Sequence, residues 1–497
     1  MPSSKGGDMM EHYIVAIDQS TSASKVFLVN EQGEIVRRFS KNHRQFYPQP
    51  GFAEHDAEEI WNHVCEGVAA VTAGFTANQL SAMAISNQRE TTVLWERETG
   101  KPIHPAIVWQ DVRGEWLCEA LQAHAKMVAA QTGLQLSAYY PALKAASVLA
   151  KHPEWQVRAK NGELCIGTID SYLVYRLTNG KVFQTDVSNA SRTQLCAIKD
   201  VQWSDELCKL FDIPMVCLPR IVPSDGDFGQ TCCSGLPLGI PLTGIMGDSH
   251  AALFGQGCLT AGMAKATYGT GSSVMMNVGN RVVTSQNGLS SSIGFGFRGQ
   301  THYVLEGNVT CSGDTLCWLR DEAKLISDIA EVEAISASVE STEGVYFVPA
   351  FSGLGAPYFK GHAKAALLGM NRSTTHAHIV RAALESMAYQ DAVVISAMEK
   401  DTHAPLQELR VDGGPTQNAL LMQFQSNLLG CNVQCAAQSE LSALGAAYMA
   451  GLSVGLYKQP EEIFAGISKG VLYQPTLSRA ERASLMNGWE TAVGHCL

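Results

Sequence analysis

Charged residues make up only 17% of this 497-residue chain, and no tract of one sign stands out. Lys and Arg number 36 against 47 Asp and Glu, a formal net charge of −11. That balance offers no footprint for a polyanion, so neither nucleic acid nor an anionic membrane is expected as a partner. No uncharged apolar run of about 18 residues occurs, so no transmembrane helix is expected. Pro-rich and Gly/Ser-rich linkers are missing, so a domain boundary must lie in a short connection. The opening stretch MPSSKGGDMM has no apolar core of a signal peptide. It is set aside within an extension, 1–11. The 14 Cys form no CxxC pair and no zinc-like Cys/His cluster. At this size they read as free thiols of a reducing, cytoplasmic compartment. A Walker A pattern is absent, which disfavours a P-loop NTPase.

Hydrophobic residues reach 46%, ordinary globular composition. At roughly 150 residues per domain the length allows about three domains, and two large ones fit as well. Strand and helix signals alternate, which points to an α/β fold. Residues 12–18, 25–30 and 34–39 read as strands, with the small hydroxyl-rich turn 19–24 between the first two. Asp56 can cap a helix whose apolar positions are Ile60, Val64, Val68 and Val71, with Glu59 at the capping-box position. The second half repeats the plan: 266–270, a turn at Gly271-Ser272-Ser273, then 274–277. Strand 409–412 stops at Gly413-Gly414-Pro415-Thr416-Gln417, before a helix with Leu420, Leu421, Phe424 and Leu428 on its apolar face and Gly430 at its end. Two such units about 250 residues apart suggest two similar domains, at low sequence identity.

Five stretches have the residue types for chemistry. Asp18 to Lys25 places hydroxyls and backbone N–H groups in a tight turn suited to phosphate oxygens. Asp18 can hold a metal ion and Lys25 can neutralise a phosphate. A plain hairpin loop is the alternative. Tyr268 to Ser273 is a Gly-rich turn that admits close backbone approach. Asp412 to Asn418 leaves a bare platform for a purine or ribose, or is only a flexible β–α connection. Arg89 and Glu90 follow strand 83–86 and either form a solvated pair or face a cleft and bind hydroxyls. Asp248 follows strand 241–246 and is either a general base or a helix N-cap.

Taken together these segments resemble the FGGY carbohydrate kinases, most closely the members that act on glycerol. The resemblance runs from about Tyr13 to Tyr457. It is carried by NQRETT (Asn87–Thr92), AIVWQ (Ala106–Gln110), NASRT (Asn189–Thr193), GMAKATYGTG (Gly262–Gly271), VPAFSGLGAPY (Val348–Tyr358), RVDGG (Arg410–Gly414), LMQFQS (Leu421–Ser426) and ALGAAY (Ala443–Tyr448). It implies two RNase H-like (actin/hexokinase-type) domains, 12–258 and 259–497, with a cleft between them. It also implies Mg-ATP-dependent phosphorylation of a primary hydroxyl on a small polyol, glycerol first. Erythritol, dihydroxyacetone or xylulose are the alternatives, with a catalytically weak sugar- or ATP-binding sensor behind them. By this resemblance Asp248 is the base. Arg89, Glu90, Trp109 and Tyr139 hold the polyol. Asp18 stands near the metal. Thr21, Ser22, Ala23, Lys25, Thr270, Gly313, Cys317, Gly414 and Asn418 take the nucleotide. A homo-oligomer is expected as well.

The departures from the family pattern are informative. Ser20 stands for Gly, Lys25 for Arg and Cys317 for a nucleotide-side Gln. Ser249 replaces the Gln after the catalytic Asp, and Ser273 replaces a Phe in the second Gly turn. These two substrate-side changes are smaller, so a longer or more hydroxylated substrate also fits. Residues 231–237 read TCCSGLP, without the Gly-Lys-rich stretch tied to fructose bisphosphate regulation. That regulation is not expected. His250, beside Asp248, either tunes the base or starts the helix.

Overall fold

The computed structural model describes residues 11–466 and 469–497. The opening stretch 1–10 lies outside the described residues. The chain forms two compact units. The first takes Met1–Gly257, Ser292–His302 and Glu440–Ile467; the second takes Cys258–Ser291, Tyr303–Ser439 and Ser468–Leu497.

The first unit is built on β1 (Tyr13–Gln19), β2 (Ala23–Val29), β3 (Ile35–Asn42), helix α1 (Ala57–Thr72), β4 (Leu80–Asn87), β5 (Leu242–Gly247) and helix α2 (Asp248–Gly255). The strand order is β5–β4–β1–β2–β3. β1–β2 and β2–β3 are antiparallel, whereas β1–β4 and β4–β5 are parallel. A parallel neighbour needs a crossover, and α1 supplies the one between β3 and β4. Asp56 caps α1 as its spacing predicts, and Ile60, Val64, Val68 and Val71 are buried. Glu59 does not complete a capping box; it accepts from the Arg44 N–H at 3.4 Å.

The second unit repeats this plan with β6 (Met263–Tyr268), β7 (Ser272–Gly279), β8 (Gln300–Val309), helix α3 (His376–Thr402), β9 (Glu408–Gly413), helix α4 (Ala419–Leu429), β10 (Asn432–Ala436) and β11 (Lys469–Tyr473). Within a seven-stranded sheet these six strands follow the order β8–β7–β6–β9–β10–β11. The hairpin β6–β7 and the pair β7–β8 are antiparallel, and β6–β9 and β9–β10 are parallel. Five of these strands, β8–β7–β6–β9–β10, repeat the order and directions of β3–β2–β1–β4–β5, and β11 adds an antiparallel edge strand, so the duplication that the sequence signals only faintly is explicit in the sheets.

Helix Leu441–Ser453 belongs to the first unit and packs on α2 at van der Waals limits. A Cβ on Gly445 would lie 1.8 Å from the Ala251 carbonyl oxygen, and one on Gly255 would lie 2.5 Å from that of Leu441. Only glycines allow this approach, which fixes the axis of α2 and therefore the position of Asp248 at its start. All 14 Cys are free thiols. Among the described residues no helix is long and apolar enough to cross a membrane, and no group of three or more His, Cys, Asp or Glu is placed to hold a metal ion.

Candidate functional site

In the first unit three parallel strands end at one level. Asp18 of β1 is paired with Ser86 of β4, and Gly247 of β5 with Asn87 of β4. The residues that follow β4 and β5 are Gln88-Arg89-Glu90 and Asp248. The carboxyl ends of parallel strands are where open α/β sheets gather their polar groups.

Arg89 and Glu90 are not a solvated pair. Both are buried, at 7% and 2% exposure, and they turn to different partners. Arg89 Nε lies 3.3 Å from Asp248 Oδ1. Glu90 adopts φ +60°, which swings its carboxylate to Arg192 Nε at 2.6 Å. Arg192, from the NASRT stretch, is a buried cation that residue-type reasoning did not single out; its signal is an arginine inside a small-residue run.

Asp248 is not an N-cap. Gly247 takes that position, and Asp248 is the first helical residue, its Oδ1 accepting the Ser249 N–H at 2.6 Å. The Gly247 N–H donates to Ser188 Oγ, which donates to Asp186. A Cβ on Gly247 would lie 2.6 Å from Arg89 Cγ. Ser249 is half-buried beside Asp248. His250 is fully buried with Nε2 3.4 Å from Ser292 Oγ, a position inside the fold rather than at its surface.

Trp109 and Tyr139 meet edge to face at 5.7 Å between ring centroids. Trp109 Nε1 donates to Thr21 Oγ1 at 2.9 Å, tying the aromatic pair to the first turn. Behind Tyr139, the fully buried Lys144 donates to the Tyr139 carbonyl, and burial pulls its ammonium down to about 7.

The first turn is shorter than the sequence suggests, Ser20 to Ser22, and side chains close it. Ser20 N donates to the Ala23 carbonyl at 2.9 Å, and Ser20 Oγ both donates to that carbonyl and accepts from Ala23 N. The Ser20 hydroxyl thus staples the turn. Ser22 is exposed and Ala23 buried. Lys25 Nζ pairs with Glu440 Oε2 at 2.7 Å, a partner supplied from 415 residues away. Asp18 is 6% exposed, and burial pushes its carboxyl up to about 6; Lys25 opposes that shift and the Asp248 charge adds to it.

In the second unit a pocket of about 460 Å³ gathers Thr270, Gly313, Cys317, Gly414 and Asn418. Backbone closes this turn. Gly269 N donates to Gly271 O, Ser312 N and Asp314 N donate to Thr270 O, and Gly313 N donates to Gly269 O, all at 2.8–3.2 Å. A Cβ on Gly313 would lie 2.6 Å from Gly269 O, so the two segments approach as closely as they do only with glycine there. Gly414 faces open space, a bare stretch of main chain. Asn418 caps α4, its Oδ1 accepting from Leu421 N at 2.9 Å, and Gly430 ends that helix at φ +69°. Ser273 lies on β7 with its Oγ sheltered and without a hydrogen-bond partner.

The chain matches the FGGY family of carbohydrate kinases twice, the N-terminal domain over residues 13–255 and the C-terminal domain over 264–454. The chain belongs to this family. Among curated relatives it is 46% identical to a glycerol kinase of Deinococcus radiodurans over 98% of both chains, and 44% identical to one of Oceanobacillus iheyensis over 98% of both. Among solved structures it resembles a glycerol kinase of Plasmodium falciparum determined with ADP, at TM-score 0.94, 35% identity and 98% coverage of each chain. A xylulose kinase of Lactobacillus acidophilus, 19% identical over 96% of each chain, shares the fold at TM-score 0.86.

Proposed function

We propose that this protein is an ATP-dependent glycerol kinase, which moves the γ-phosphoryl group of ATP to a primary hydroxyl of glycerol and yields glycerol 3-phosphate and ADP. The observation that carries the reading is the 44–46% identity to glycerol kinases over 98% of the chain. The pairing of Arg89 with Asp248 at 3.3 Å supports it.

In this reading Asp248 takes the proton of the attacking hydroxyl as that oxygen bonds to phosphorus and the bridging oxygen leaves with ADP. Arg89 beside it favours the carboxylate, the form able to accept a proton. Glu90 keeps lone pairs beyond the one used by Arg192 and accepts from polyol hydroxyls. Trp109 and Tyr139 offer apolar edges to the carbon chain. Thr21, Ser22, Ala23 and Thr270 take phosphate oxygens, with Lys25 exchanging its pairing with Glu440 for a contact to the triphosphate. Gly313, Cys317, Gly414 and Asn418 line the adenosine side, where the bare backbone at Gly414 can lie flat against a base.

The residues fit Mg2+ in one particular way. Asp18 is a buried acid raised to about 6 with a second carboxylate acting on it, and a cation relieves both penalties. No cage of three ligands surrounds it among the described residues. That matches a magnesium ion held by one carboxylate, phosphate oxygens and water. When bound it neutralises phosphate charge.

Buried free thiols and ATP as co-substrate support a cytoplasmic enzyme. The homo-oligomer proposal rests on family resemblance and is checked by light scattering after size exclusion.

ADP release from the purified protein with glycerol, dihydroxyacetone, erythritol and xylulose tests the reading. Glycerol should give the highest kcat/KM. A tenfold preference for another acceptor, about 1.4 kcal/mol, overturns the substrate assignment. Erythritol is the second reading, favoured by the unpartnered Oγ of Ser273 and the small Ser249.

A further inference from the structure

Helix α3 carries Asp391 at 0% exposure, in the core of the second unit and outside the residues assigned a role above. Its Oδ2 accepts from Ser272 Oγ at 3.0 Å. The Tyr268 phenol also acts on it, while donating to Gln425 Oε1 at 2.7 Å. Tyr268 and Ser272 face each other across β6 and β7, the last pair before the Gly269-Thr270-Gly271 turn. One buried carboxyl thus holds the Ser272 side of the neck of that turn directly and bears electrostatically on the Tyr268 side. Ser272 and Tyr268 have no freedom to slide without breaking contacts in a fully buried polar cluster, where an unmet group is costly.

We propose that Asp391 is a positioning residue for the Gly269-Thr270-Gly271 turn, acting through Ser272 and Tyr268 to hold it in the geometry that receives a nucleotide's phosphates. The proposal rests on the nucleotide reading of the pocket that Thr270 lines.

A pH dependence follows. Burial pushes Asp391 up to about 7, with the Tyr268 and Ser272 hydroxyls and the Lys265 ammonium of β6 opposing the shift. Cys435 of β10 bears on Tyr268. Of the other elements packed on α3, α4 contributes the neutral Gln425, and helices Asp314–Asp321 and Val332–Ala337 carry Asp314 and Glu333, which line the nucleotide pocket. The strand Tyr346–Val348 presents Tyr346 to Tyr389. An ionised Asp391 behind the turn repels phosphate, so nucleotide binding weakens as pH rises through the neutral range.

Calorimetric ADP binding to the full chain between pH 6 and 8.5 tests this, with Asp391→Asn, Asp391→Ala and Ser272→Ala. The native chain should lose about tenfold in affinity over that range relative to Asp391→Asn, whose pH profile supplies the baseline for ADP's own titration. Ser272→Ala, which leaves the acid in place without its hydroxyl partner, should weaken binding three- to tenfold and lower thermal stability, and Asp391→Ala should weaken binding at least as much. ADP binding by the native chain with the same pH profile as Asp391→Asn, and within twofold for both alanine variants, overturns the proposal alone. Failure of the native chain to bind ADP overturns it together with the kinase reading.

Discussion

The two units share a strand plan and secure the corresponding turn differently, one with added side-chain contacts and one with backbone alone. In the first, side chains reinforce the Ser20 N to Ala23 O backbone bond of the loop between β1 and β2: the Ser20 hydroxyl, Trp109 on Thr21, and a Lys25–Glu440 ion pair. In the second, the loop between β6 and β7 is held by its own backbone and that of residues 312–314, with glycines at 269, 271 and 313. A side-chain clasp can be released by a ligand that competes for the same groups. A backbone clasp cannot, and its adjustable part lies one step back, at Ser272 and Asp391. The same topology thus yields one turn tuned from its surface and one tuned from its core.

The largest test of this comparison lies in the first unit. Asp248→Asn should lower kcat by about 10²–10⁴-fold while leaving the melting temperature near native, the range for loss of a general base. A residual rate within tenfold of native would shift the acceptor chemistry away from α2.

Next come the glycines, where packing and ligand access separate. Gly445→Val places atoms where even a Cβ would lie 1.8 Å from the Ala251 oxygen. Denaturant unfolding should show a loss of about 3 kcal/mol or more, beyond ordinary overpacking because backbone is the obstacle. Gly414→Ala meets nothing within 4 Å. Its stability should stay within about 0.5 kcal/mol of native, while the Kd for ADP rises several-fold. A stable Gly445→Val protein would refute the close crossing of the two helices.

Asp18→Asn should separate stability from function. Burial pushes the folded carboxyl up to about 6 from its ordinary 3.8, so above pH 6 the folded state carries a buried charge at a cost. As pH falls from 6 towards 4 the folded chain takes up a proton that the unfolded chain does not, and the cost is relieved. The variant should therefore exceed native stability by on the order of 2 kcal/mol at pH 8, lose that advantage towards pH 4, and have little activity throughout. Equal unfolding curves at pH 8 would contradict the buried charge.

The smallest effect is expected at Ser20. Ser20→Ala removes the hydroxyl clasp and should cost about 1 kcal/mol, with a modest rise in KM for ATP. Unchanged unfolding and KM would leave the turn without its side-chain staple.

Much of this was legible in the chain. The alternation of β1, β2 and β3, the Asp56 cap, the apolar stripe of α1 and the Gly430 stop follow from local rules and stand within a few residues of their predicted places. The gathering of Thr270, Gly313, Cys317, Gly414 and Asn418 around one pocket accords with family motifs far apart in sequence. Glu90 and Lys25 show the limit. Spacing leaves Arg89 and Glu90 open to pairing with each other, and gives Lys25 no partner. Arg192 stands 102 positions from Glu90 and Glu440 stands 415 positions from Lys25. No window of local pattern covers such distances.

Sequence alone determined the periodicities, the caps, the glycines at tight places and the family, because each is written in neighbouring residues or in ordered motifs. Tertiary structure decided which charges are spent on one another, that Asp248 begins a helix rather than capping it, and that residues 440–466 pack with the first unit. Those outcomes depend on burial and on which strand ends share a level, and a carboxylate's chemistry is set by the groups folding brings beside it.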